Sequence, residues 1–155
     1  MRGFHSSAVG GVGEGTLRVL RGSGPITSFI GRLAGLPPSS DGTAVRLEVR
    51  PVGNRERWIR SFDRHTLATL QSERDGLLVE QFPIMRFGIE IVVDGDQMVH
   101  ILRRCWVGPI PIPLWLAPRI DTTTKATPDG WRLYVSVALP LLGRIIEYEG
   151  NIRCG

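Results

Sequence analysis

Two groups of residues in this chain have the types that acid/base chemistry needs. Asp63, His65 and Glu80 form one, and His100 with Asp94 or Asp96 forms the other. Catalysis requires such groups within hydrogen-bond reach of each other and of a substrate. The spacing does not impose that reach. His65 adjoins a turn and is expected to be solvated. His100 shares a strand face with Met98 and Leu102 and is expected in the core or on a cavity wall. No serine sits in a G-x-S-x-G elbow, and no histidine pair has metal spacing. No catalytic residue, metal or cofactor is therefore assigned.

Binding chemistry is better represented. Trp58 and Arg60 share one strand face, with Arg57 on the other. An inward Arg60 needs a carboxylate or a ligand anion, because an unpaired buried charge is costly. Glu80, Glu90, Glu147 and Glu149 are the candidate partners. The simpler arrangement lays the Arg60 stem on Trp58 at the rim, with the head in water. Trp106, Trp115 and Trp131 suit a site with one apolar and one polar side. Together with Trp58, Arg60, His100 and Tyr134 they are the expected ligand-binding set. Arg21, Gly22, Ser23 and Gly24 lie between a strand and a helix start, where backbone N–H groups can hold an anion. A tight turn needing glycine is the plainer reading there. The run Gly11-Val12-Gly13-Glu14-Gly15 lacks dinucleotide spacing and precedes a strand, so a loose entry segment over 1–15 is expected.

Those residues must be carried by short strands. Phe87, Ile89, Ile91 and Val93 alternate, Asp94-Gly95-Asp96 turns, and Gln97–Val107 returns as the second arm of a hairpin. Alternation also marks 16–21, 45–50, 58–62, 66–71, 77–82, 119–126, 131–139 and 146–152. One segment is helical. Pro25 starts it, Ile26, Phe29, Ile30, Leu33 and Ala34 form an apolar stripe, and Gly35 with Pro37-Pro38 stops it. That stripe is expected to pack on the sheet. Pro109, Pro111 and Pro113 bar a central strand over 108–113. The apolar loop that follows is expected to plug the sheet or to present a sticky surface. The fold class read here is mainly β. It is a strongly curved antiparallel sheet or partial barrel of about nine or ten strands with one packed helix.

The 155 residues fit a single β-rich domain over 16–155. With 42% hydrophobic and 22% charged residues, wholesale disorder is excluded. The net charge of +4 comes almost wholly from arginine, and Lys125 is the only lysine. No dense basic run occurs, so no nucleic-acid partner is expected. No apolar stretch reaches the roughly 18 residues of a membrane span, and 1–15 has no apolar leader core. A cytoplasmic location is the simplest expectation. Cys105 and Cys154 have no metal spacing, and a disulfide between them has no support in the sequence.

These pieces resemble a bacterial family known as domain of unknown function 4166, from about Phe4 to Gly150. The resemblance rests on Arg21-Gly22, Gly35-Leu36-Pro37-Pro38, Arg57-Trp58-Ile59-Arg60-Ser61-Phe62 and Val79-Glu80-Gln81-Phe82. It continues through Gly108-Pro109 to Pro118, Leu139-Pro140-Leu141 and Tyr148-Glu149-Gly150. The chain departs from the family pattern at Phe82-Pro83-Ile84, where Phe-Gly-Pro is usual. The resemblance implies no catalytic residues. It implies an oxidoreductase domain as a partner, because members can follow a nicotinamide-dependent, saccharopine-dehydrogenase-like domain. The function expected is a binding module for an apolar, lipid-like small molecule on the concave side of the sheet. The alternative is an accessory domain of an NAD(P)-dependent oxidoreductase with no ligand of its own.

Overall fold

The structure is a computed structural model that describes residues 11–155. Eleven strands and one helix follow in the order β1 (Val12–Arg21), α1 (Pro25–Leu33), β2 (Ser40–Val52), β3 (Arg55–Phe62), β4 (His65–Arg74) and β5 (Leu77–Gln81). Then come β6 (Met85–Asp94), β7 (Gln97–Val107), β8 (Ile110–Ile112), β9 (Arg119–Thr127), β10 (Gly130–Leu139) and β11 (Gly143–Cys154). The alternating runs all became strands, and β1 begins at Val12, so Gly13 and Gly15 lie in the ladder. Residues 1–10 of the expected entry segment lie outside the described residues.

The sheet closes. Strands β1 to β6 pair in chain order, β6 pairs with β7, and β7 pairs with β9. Strand β9 then pairs with β10, β10 with β11, and β11 with β1, which makes a ten-stranded antiparallel barrel. β8 lies outside this ring and pairs with the last residues of β7. The prolines fit this position, because a short edge strand loses few ladder donors.

The register gives the barrel two unlike ends. Tight turns at Gly53-Asn54, Asp75-Gly76, Asp94–Asp96 and Pro128-Asp129 close one end, here called the hairpin end. Asp75 and Gly76 both have positive φ, 55° and 74°, which suits the twist of a two-residue hairpin. The other end, the cap end, carries α1, the turns at 63–64, 82–84 and 140–142, and the proline loop 108–118.

Helix α1 does not dock as its apolar stripe predicts. Ile26, Phe29 and Leu33 are exposed, while Thr27 and Gly31 are buried. The cause lies beneath the helix. The Arg21 guanidinium donates to the Ser28 carbonyl at 2.8 Å and the Leu36 carbonyl at 3.3 Å. A Cβ on Gly31 would stand 2.6 Å from Arg21 Nε. Only the small face of α1 can approach that closely, so the apolar stripe turns outward. Of the two arrangements expected for the proline loop, the structure shows mostly an exposed apolar surface. Ala117 and Pro118 are buried, but Leu114, Trp115 and Leu116 are exposed.

Inside the barrel the apolar side chains form two clusters. One gathers Leu17, Val19, Val45, Phe62, Ile146 and Ile152, and the other Phe87, Ile89, Cys105 and Ala117. Cys105 is buried and Cys154 exposed, and both are free thiols.

Candidate functional site

The inner wall between the two clusters carries a polar group. Trp58 and Arg60 of β3 face inward, in register with Val49 and Leu47 of β2. Thr69 of β4 lies opposite Trp58, and Gln71 of β4 lies opposite Glu80 of β5. The Arg60 guanidinium donates to Glu80 Oε1 at 2.8 Å and to Thr69 Oγ1 at 2.9 Å. Thr69 Oγ1 donates to the same Glu80 oxygen at 2.7 Å. The guanidinium carbon also lies 5.6 Å from the centre of the Trp58 ring. The head of Arg60 is therefore held in a largely buried ion pair inside the barrel, and the solvated rim arrangement does not occur. Two adjacent hairpins supply its partners, so no long connection is needed.

Electrostatics follow from this geometry. Burial alone would raise the Glu80 carboxyl. The Arg60 charge and hydrogen bonds from Thr69, Arg60 and Gln71 outweigh it and hold Glu80 below the usual glutamate value. Burial also opposes the charge on Arg60, but Glu80 and the nearby Tyr148 phenol keep it firmly protonated. Tyr148 is pushed above its usual value, first by burial. Gln71 is 6% exposed, and its Oε1 has no hydrogen-bond partner among the described residues.

The expected ligand-binding set divides. His100 faces inward from β7, opposite Ile91 and Thr122, and Trp131 faces inward opposite Ile152. Trp58, Arg60, His100 and Trp131 thus share the barrel interior. Trp106 does not join them. β7 carries a bulge in which Gly88 pairs with Arg104 and Ile89 with Leu102, leaving Arg103 as the extra residue. The bulge shifts the alternation, so Cys105 turns in and Trp106 turns out under the Arg86 guanidinium, 5.1 Å away. Tyr134 lies on the outer wall between inward Leu133 and Val135, with its hydroxyl 3.4 Å from Glu147 Oε2. Trp115 lies in the exposed loop at the cap end. Arg21 engages the Ser28 and Leu36 carbonyls, Gly22 N–H donates to Ile145 O, and Ser28 Oγ donates to Gly22 O. Ser23 and Gly24 are exposed, and Gly24 caps α1.

The acid/base sets do not assemble. His65 and Glu80 lie six residues apart along the ladder of β4, about 20 Å. His100 lies three ladder steps from Asp94, about 10 Å. Asp96 pairs with Lys125 at 3.1 Å. Among the described residues, no cluster of His, Cys, Asp or Glu is arranged to hold a metal ion. No helix among them is long and apolar enough to cross a membrane. Sequence reasoning named Glu80 but missed Thr69, Gln71 and Tyr148. Only strand register reveals them, because each belongs to the inward face of its strand.

Residues 1–152 match the family described as Domain of unknown function (DUF4166). The chain belongs to this family. The match spans nearly the whole chain, so the DUF4166 domain and the barrel coincide. Comparison of this DUF4166 domain with curated proteins and with solved structures returns no match.

Proposed function

We propose that the barrel is a binding module that holds an apolar, lipid-like small molecule in its lumen. The polar head of that molecule lies against Arg60, Glu80, Thr69 and Gln71. One observation carries this reading. In a closed barrel, a side chain pointing inward from mid-strand meets solvent only through the lumen. Leu133 and Tyr148 point inward from mid-strand and pack against the first cluster, yet each stays partly exposed. Part of the inner wall is thus accessible, and a mostly apolar wall with a few convergent polar groups is how small-molecule sites are built. The unpartnered Gln71 oxygen offers a ligand one buried acceptor.

The test is organic extraction of the purified protein, read by mass spectrometry beside native mass spectrometry of the intact chain. A stoichiometric apolar molecule is expected, and Leu133→Trp, which fills the lumen, should exclude it. A chain at its calculated mass that also takes up no fluorescent fatty acid would sink the reading. The exposed Leu114–Leu116 loop favours a second reading, an accessory domain that docks on an NAD(P)-dependent oxidoreductase. That reading expects a barrel without ligand.

A further inference from the structure

We propose that the cap end of the barrel docks on the surface of an anionic lipid bilayer. The proposal concerns the outer surface alone and does not depend on a ligand in the lumen.

The first ground is segregation. Strand register assigns every turn and loop to one end or the other. Among the described residues, all exposed large apolar side chains except Val52, Val92 and Val93 lie at the cap end. They come from α1, the 82–84 turn, the end of β7, the proline loop and the β10–β11 turn. These segments are neighbours. A Cβ on Gly22, just before α1, would meet the Arg144 carbonyl at the start of β11. Leu114, Trp115, Leu139 and Pro140 line a common cleft of about 400 Å³. Exposed apolar surface gathered in this way marks an interaction site.

The second ground is presentation. Phe29 is 66% exposed and Trp115 75% exposed. Leu141 is fully exposed and sits at φ 65°, a left-handed conformation that disfavours a branched side chain. The β10–β11 turn thus holds a leucine outward at some conformational cost. These side chains project from separate turns. A protein partner would need a complementary shape for each projection. A bilayer interface needs none, and it accepts tryptophan readily at the headgroup level.

The third ground is charge. Arg32 in α1 and Arg64 in the 63–64 turn are exposed and make no ion pair among the described residues. Arg119 and Arg144 flank the same end, paired at its edge with Asp121 at 3.2 Å and Glu147 at 3.6 Å. Asp41 and Asp63 are the other acids there. The hairpin end carries Asp75, Asp94, Asp96 and Asp129 interspersed with Arg55, Arg74, Lys125 and Arg153, and little apolar surface. Unpaired arginines and exposed apolar side chains thus coincide at the cap end, the combination an anionic bilayer surface attracts.

The test mixes the full chain with vesicles of phosphatidylcholine alone or of phosphatidylcholine with phosphatidylglycerol. Flotation and tryptophan emission report binding. Wild type should float with the anionic vesicles, with a blue-shifted emission. Binding should weaken by about 10-fold or more in high salt. Trp115→Ser combined with Leu141→Ser should weaken it by about 10-fold or more, because both side chains lie on the docking face. Val93→Ser, at the hairpin end, should leave binding unchanged. Both substituted sites are exposed, and matching thermal melts would show that the variants fold. Failure of wild type to float with either vesicle overturns the proposal. So does undiminished binding by the double variant. A solution dimer that the double variant dissolves would overturn it in favour of a second copy of the chain.

Discussion

Arg60 and Glu80 lie on strands β3 and β5, with β4 between them, and their heads meet 2.8 Å apart inside the barrel. Each is costly to bury alone, and each makes burial of the other tolerable. Arg60→Met should therefore cost about 3–5 kcal/mol in denaturant unfolding, because it strands the Glu80 carboxylate. Adding Glu80→Met should recover much of that loss, because an apolar pair leaves no buried charge. The pH dependence supplies a second readout with opposite signs. In wild type the folded Glu80 is held below its unfolded value. Its contribution to stability is present above the unfolded value and is lost as pH falls through the folded one. In Arg60→Met only the Thr69 and Gln71 hydrogen bonds still oppose burial, and we expect the folded value to rise above the unfolded one. That variant should lose stability as pH rises past the ordinary glutamate range. Equal slopes for the two proteins would show that Arg60 does not control the charge on Glu80.

At the scale of elements, period-two alternation placed the strands because each one shows a single face to the core. That Trp58 and Arg60 share one face was legible for the same reason. Three things were not. The stripe on α1 has the composition of a buried face, but the Arg21 guanidinium beneath the helix leaves no room for a side chain at Gly31. The partner of Arg60 depends on register across two hairpins, which alternation within a strand does not contain. The direction of Trp106 depends on the bulge at Arg103, and counting by twos from His100 runs straight through it. This last point can be tested. Arg103 is the extra residue on its strand, so deleting it should keep Leu102 and Cys105 inward. We expect that deletion to cost about 1–2 kcal/mol, including the exposed Arg103–Glu90 pair. Deleting Ile101, where the ladder is regular, should reverse every later side chain and unfold the barrel. A thiol-reactive dye reads the difference. In wild type and in the Arg103 deletion only Cys154 should react, because Cys105 stays buried.

For the whole molecule, the decisive contacts are those that close the ring. Hairpins account for most neighbours, but β1–β11 and β7–β9 pair strands that no short turn joins. Sequence could count strands and see that so wide a sheet must curl. It could not show these two pairings, because each needs residues distant in the chain to match. Once the ring is closed, no strand is first. Gly13 lies opposite Cys154, and the Gly155 N–H donates to the Val12 carbonyl at 3.0 Å. A short Gly/Ser linker from Gly155 to Gly11 should therefore permit a new break at Gly53-Asn54, a solvated turn at the hairpin end. We expect that permutant to melt as one cooperative unit with a loss of no more than about 2 kcal/mol. A break between Arg21 and Gly22 should cost more, because it frees α1 from the arginine that anchors it. If the two permutants are equally destabilised, the cap contributes nothing to barrel stability. α1 and the proline loop would then be held at the cap end for what they present to the outside.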